Sequence, residues 1–120
     1  MNNEHLSKGQ KAEDLAETFL QTKGLVTREK NFRCKLGEID LIMHDRDVLI
    51  FVEVRLRSNP FFTNAAESVD RKKQRKIMNT ASYYLQQKNL VDKVACRFDV
   101  IAIEQNAIQD CNWIINAFGV

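Results

Sequence analysis

The sequence predicts one α/β or α+β domain of order α-β-β-β-α-β-β, and three observations carry that reading. Helical periodicity opens the chain. A long segment at 36–56 alternates and then turns continuously apolar. A second helical stretch, strongly basic at its start, separates it from two further alternating runs. The 120 residues, 44% hydrophobic and 28% charged, are enough for one core and too few for two, so the expected domain spans 1–120. One Pro and four Gly argue against a linker-rich chain.

Each element has its own signal. Ser7 with Gln10 three residues on forms a capping-box pattern, and Ala12, Leu15, Ala16, Phe19 and Leu20 follow at helical spacing. Gly24 suits the stop, giving a helix over 8–23 with Glu13 on the border of its apolar face. Residues 25–33 (LVTREKNFR) read as a short, partly exposed strand. In 36–56, Ile39, Leu41 and Met43 are expected on one face and Glu38, Asp40 and Ile42 on the other. The string HDRD supplies turn chemistry, and 48–52 is apolar on both faces, as in a central strand. The segment is thus a β-hairpin. After Asn59-Pro60 and an irregular stretch, a helix is expected over about 65–88, its buried side traced by Val69, Lys73, Ile77, Ala81, Tyr84 and Leu85. Residues 97–103 and 112–118 alternate like strands.

Composition excludes several functions. No apolar run approaches the roughly 20 residues of a membrane span, and MNNEHLSKGQKAED lacks the apolar core of a signal peptide. Three cysteines without a CxxC pair suggest neither a disulfide framework nor a zinc knuckle. They read as small buried hydrophobes in a reducing cytoplasm. A net charge of +2 names no partner, but the distribution is uneven. Residues 71–76 read RKKQRK, Arg28, Lys30, Arg33 and Lys35 alternate, and no Lys or Arg follows Arg97. One basic side would suit a phosphate backbone, with Arg71, Lys72, Lys73, Arg75 and Lys76 as contacts. A solvated helix face is the alternative for such a run.

The chemistry concentrates in the hairpin. Glu53 and Arg55 share a face of one strand, and Glu38 and Asp40 share a face of its partner. A register pairing Asp40 with Glu53, or one slipped by two residues, gathers acids and an arginine beside a core. Facing carboxylates repel and push a pKa upward. A divalent cation removes that cost: Mg²⁺ takes one or two carboxylates, waters and a phosphate oxygen. A structural salt-bridge cluster around Arg55 is the alternative, and spacing leaves both open. Arg57 is either an assisting cation or a solvated strand-end residue. Asp99 is read as structural, and His44 as a turn histidine in solvent. Lys73 and Gln74 are candidates to reach the site or a phosphate, with a lysine that snorkels from the core edge as the equal alternative for Lys73. Tyr83, Tyr84 and Trp113 are core or edge aromatics.

The strings GEIDLI at 37–42, FVEVR at 51–55, SVDRKKQRKI at 68–77 and RFDVIAI at 97–103 resemble the YraN family of small bacterial proteins. The likeness runs from the KGQKAE helix start to Trp113-Ile114. That family is similar to the restriction-endonuclease superfamily and to archaeal Holliday-junction resolvases, with a D…ExK site. The resemblance implies a restriction-endonuclease-like fold, with a mixed central sheet flanked by helices. It also implies a Mg²⁺- or Mn²⁺-dependent nuclease acting on DNA, branched DNA included. Asp40 and Glu53 would be metal ligands and Glu13 an additional helix carboxylate. Arg55 stands where the motif has lysine and cannot lose a proton near neutral pH, so a non-catalytic nucleic-acid-binding module is the alternative. Junction resolvases work as dimers because the junction is two-fold symmetric, so the resemblance makes a homodimer a candidate while the sequence leaves the oligomeric state open.

Overall fold

The structure is a computed structural model and describes residues 7–56, 69–104 and 108–119. Its elements are α1 (Lys8–Thr22), β1 (Val26–Cys34), β2 (Gly37–Asp45), β3 (Val48–Leu56), α2 (Arg71–Gln87), β4 (Ala95–Ile103), a 3-10 turn (Ile108–Asp110) and β5 (Cys111–Phe118). The order is the α-β-β-β-α-β-β expected. The strands form one mixed sheet in the order β1-β2-β3-β4-β5. Its pairs are antiparallel except β3–β4, which are parallel. Parallel neighbours need a long crossover, and α2 lies in it.

One helix covers each face. On one side Ala12, Ala16 and Leu20 of α1 pack on Leu41, Met43, Ile50, Val52, Ile101 and Ile103. On the other, Ile77, Ala81 and Tyr84 of α2 pack with Phe32, Phe51 and Val100. Strand β3 therefore alternates between two buried faces, which explains its continuous apolar run. The Ser7–Gln10 capping box forms in both directions, at 3.0 and 3.1 Å. No helix among the described residues is long and apolar enough to cross a membrane.

Three sequence expectations need correction. Ile39 does not share a face with Leu41 and Met43 but joins the α2-side cluster with Phe32 and Ile42. Asn31 takes a left-handed backbone (φ 54°) between Lys30 and Phe32. The pairs Lys30–Leu41 and Phe32–Ile39 flank Asn31 and Asp40, which do not themselves pair. The ribbon turns there, and the alternation restarts. Second, α2 begins at Arg71 with Asp70 as its cap, the carboxylate accepting from the Lys73 N–H at 2.8 Å. Val69 is still buried as expected, while residues 65–68 lie outside the described residues. Third, Cys96 is exposed at the open start of β4, and Cys34 and Cys111 are only partly buried.

Asp99 has the structural role expected. Fully buried, it accepts from Arg97 Nε (3.0 Å), Trp113 Nε1 (2.9 Å) and the Asn116 N–H (2.9 Å), tying edge strand β5 to β4. Tyr84 is buried, Tyr83 is exposed, and Trp113 meets Phe19 edge-on.

Gly37 fixes how closely α2 approaches the β1–β2 turn. Its φ is 150°, and a Cβ there would stand 2.9 Å from Thr80 Oγ1, whose hydroxyl is buried and donates to the Lys76 carbonyl. Gly37→Ala is expected to lower stability by about 1–3 kcal/mol, through strained backbone and displacement of α2. Urea unfolding followed by circular dichroism checks this; a variant as stable as wild type contradicts the close approach.

Candidate functional site

The site forms where β2 parts from β3. Regular β2–β3 pairing runs from Asp45–Val48 to Leu41–Val52 and stops there. The next residues, Asp40 and Glu53, face each other in the first of the two registers considered from sequence. Asp40 Oδ2 accepts the Val54 N–H at 2.8 Å, so its side chain takes a donor at the point where the ladder ends. Glu53 stands on the α2 side of β3 and is 5% exposed. Glu13 reaches in from α1 and interacts with both Asp40 and the Asn31 side chain. Three carboxyl groups on three elements therefore converge at one end of the sheet.

Two cations face them. Arg55 Nη1 lies 3.7 Å and Lys73 Nζ 3.8 Å from the same oxygen, Glu53 Oε1. Lys73, expected on the buried side of its helix, is partly buried and directs its ammonium to the carboxylate cluster. Arg71, Lys72, Arg75 and Lys76 line the first turns of the same helix, mostly facing solvent. Positive charge at a helix N-terminus opposes the helix dipole, by about 0.3–1 kcal/mol per charge. That placement favours an anionic neighbour. Gln74 is used differently: its amide donates to the Val69 carbonyl at 2.8 Å and anchors the helix start.

The remaining expected contacts divide. Lys30 bridges to Asp14 and Glu17 of α1, and Arg33 Nε donates to Glu38 Oε2 at 3.0 Å. Two of the alternating bases in and beside β1 are thus engaged within the fold. Arg57 lies outside the described residues. His44 is partly buried at the end of β2, its Nδ1 3.3 Å from the Arg46 carbonyl. A cleft of about 630 Å³, lined by Gln10, Glu13, Asn31, Arg33 and Glu38 among others, opens beside the carboxylates. Asn31 is the site residue that the sequence reading misses. Its signal is an asparagine inside a strand-like run, a residue type that tolerates left-handed backbone.

Burial and mutual repulsion govern protonation here. Burial first, and Asp40 second, push Glu53 up to about 8, against the opposing pull of Lys73 and Arg55. Glu13 rises to about 7 for the same two leading reasons. Asp40 is also raised by burial, opposed by the Val54 N–H and by its hydrogen bond with Glu13. Near neutral pH the cluster therefore holds protons that free carboxylates would release. Among the described residues, no group of three or more His, Cys, Asp or Glu stands ready as a complete metal cage. A hard cation completed by water needs only one or two carboxylates, and Asp40 and Glu53 are the pair of this cluster that could supply them.

The sequence profile described as "Uncharacterised protein family UPF0102" matches residues 12–103, a span that includes all three carboxylates, both facing cations and the basic helix start. The chain belongs to the UPF0102 family. This is the YraN family whose motifs are quoted above. A UPF0102 protein of Pasteurella multocida is 50% identical over 111 residues, covering 90% of this chain and 91% of its own length. One from Nitrosospira multiformis is 46% identical over 113 residues (94% and 93%), and one from Saccharophagus degradans 46% over 114 (95% and 94%). The UPF0102 relatives thus match this chain almost end to end.

The raised carboxyls carry a stability consequence. A carboxyl whose folded pKa exceeds its unfolded value keeps a proton that the unfolded chain has released, so stability falls as pH rises between the two values. For Glu53 that window runs from the ordinary 4.5 to about 8. In the absence of divalent metal, stability is expected to drop by a few kcal/mol across it, of the order implied by about 1.4 kcal/mol for each pH unit. Glu53→Gln should remove its share of this slope in urea titrations at successive pH values, most clearly between about pH 7 and 8, above the Glu13 value. An equally steep slope in the variant would show that Glu53 is not its source.

Proposed function

We propose that this UPF0102 protein is a cytoplasmic nucleic-acid-binding protein and a divalent-metal-dependent endonuclease, hydrolysing phosphodiester bonds in DNA, with branched DNA as a candidate substrate. The observation carrying this reading is the convergence of Asp40, Glu53 and Glu13 opposite Lys73 and Arg55, below a helix start rich in bases. Asp40 and Glu53 would hold Mg²⁺ or Mn²⁺, which would supply Lewis-acid polarisation of the phosphate and an activated water. Their charge crowding supports this fit, because a bound cation replaces the protons that burial keeps on the cluster.

The chain's own residues do the rest. Lys73 and Arg55 present positive charge to the phosphate and to the charge that develops during cleavage. A guanidinium or an ammonium accepts no proton, so a proton leaving the attacking water would pass to a carboxylate of the cluster. Arg71, Lys72, Arg75 and Lys76 hold the flanking backbone. Binding through them weakens as salt rises, because condensed counterions are released.

A second reading is a binding module on the same scaffold without catalysis. The arginine at 55 favours it, and the lysine ammonium at nearly the same distance from Glu53 opposes it. Four-way-junction, flap, duplex and single-stranded DNA, incubated with Mg²⁺ or Mn²⁺ and with EDTA, separate the two. Metal-dependent cleavage is expected, reduced at least ~100-fold in Asp40→Asn and roughly 10- to 100-fold in Lys73→Ala. Full activity in Asp40→Asn would overturn the site. Salt-sensitive binding without cleavage in any metal, with activity gained in Arg55→Lys, identifies the binding module. Sedimentation with junction DNA then tests the homodimer that a two-fold substrate calls for.

A further inference from the structure

A second cavity lies at the opposite end of the sheet from the carboxylates. It measures about 510 Å³ and is lined by Arg28, the β2–β3 turn, the first residues of β3 and β4, and the loop after α2. Glu53 stands five positions along β3 from Val48 at the cavity's edge, roughly 16 Å of extended chain. A ligand confined to the carboxylate site leaves this cavity free.

Its chemistry is cationic above and apolar below. Arg28, Arg46 and Lys93 line it against one carboxylate, Asp47. Among the described residues none of these three bases has an ion-pair partner, unlike Lys30 and Arg33 on the same β1 strand as Arg28. Leu49, Leu90 and Val94 supply the apolar lining, with Leu49 buried and the other two partly so.

The backbone is bent to place two of these cations. Thr27 pairs with Met43 but Glu29 with Ile42, so Arg28 is the extra residue of a β-bulge, a device that re-aims a side chain. Arg46 occupies a two-residue hairpin connection with φ 54°, a conformation that favours glycine or asparagine. An arginine there is the locally unfavourable choice, and it adds charge to a cavity already lined by two other bases, Arg28 and Lys93.

We propose that this cavity is a nucleotide site, which binds a phosphomonoester through Arg28, Arg46 and Lys93 while the attached nucleoside covers Leu49, Leu90 and Val94. The volume lies within the range of small-ligand pockets. The same phosphomonoester chemistry comes from two sources, a free nucleotide or the 5′-phosphorylated end of a nucleic-acid strand. The inference goes beyond the nuclease reading and stands without it.

The test uses the full chain, labelled with ¹⁵N, and four probes: inorganic phosphate, 5′-AMP, and a single-stranded oligonucleotide with and without a 5′-phosphate. 5′-AMP is expected to shift amides at 46–49 and 93–95 and to bind at least tenfold more tightly than inorganic phosphate. Lys93→Ala and Arg46→Gly should each weaken it tenfold or more. Arg46→Gly suits the left-handed backbone, so a lost site in that variant is not a lost fold. Preference for the 5′-phosphorylated oligonucleotide over 5′-AMP assigns the site to a strand end, and the reverse assigns it to a free nucleotide. No shift with millimolar 5′-AMP or with either oligonucleotide would overturn the proposal. So would equal affinity for phosphate and 5′-AMP, or binding that both substitutions leave unchanged.

Discussion

The hydrogen bond from the Val54 N–H to Asp40 Oδ2 is the contact on which the site depends. Central strand β3 must satisfy its backbone donors on the β2 side, yet β2 stops pairing after Leu41. A buried N–H without an acceptor costs about 1–3 kcal/mol. Asp40 supplies the acceptor and thereby fixes its own carboxylate beside Glu53. The left-handed Asn31 on the neighbouring strand lets β2 leave the ladder at this point, and its side chain interacts with Glu13. One local break in the sheet thus positions the carboxylates contributed by three elements.

What the sheet end gains in donors it loses in electrostatic comfort. Glu53 is nearly inaccessible and faces Asp40, an arrangement that burial alone makes costly for two charges. Lys73 and Arg55 offset part of that cost from 3.8 and 3.7 Å, and retained protons offset more. A purely structural ion-pair network does not need a second and third carboxyl in the same place. The Asp99 cluster shows the contrast: one buried carboxylate surrounded by donors from Arg97, Trp113 and the Asn116 backbone, with its acceptors used. Among the described residues, the Asp40 cluster sets three carboxyl groups against the two cations that face Glu53.

Much of this arrangement is legible in the amino-acid order alone. The apolar run at 48–52 identifies the central strand because both of its faces are covered, and the helix periodicities identify what covers them. Strand alternation and an even register bring Asp40 and Glu53 to one place. Three things stay hidden at that level. The face of Ile39 depends on a left-handed residue in another strand, which alternation within β2 does not encode. The start of α2 depends on which acid or hydroxyl captures a free N–H, and Asp70 does so. The end point of Lys73 is a tertiary matter, since helical spacing gives its direction and only the packing of α2 on the sheet gives its target. The basic alternation around β1 misleads for a related reason: Lys30 and Arg33 find carboxylates on α1 and β2 that sequence proximity does not reveal.

The delivery of a lysine from α2 rather than from β3 changes what controls the site. A strand lysine at position 55 would move with Glu53, two residues away on the same rigid element. Lys73 instead approaches from a separate helix, so its distance to Glu53 is set by how α2 lies on the sheet. That seat consists of Ile77, Ala81 and Tyr84 in the core, and of Gly37, whose missing Cβ admits Thr80. The helix start is held in turn by the Asp70 cap and by Gln74 on the Val69 carbonyl. Positioning of the cation, cohesion of one half of the core and orientation of the exposed bases therefore share one mechanical support. A change in that support acts on all three at once. Any load on Arg71, Lys72, Arg75 and Lys76 therefore acts on the same helix that sets the distance of Lys73 from Glu53.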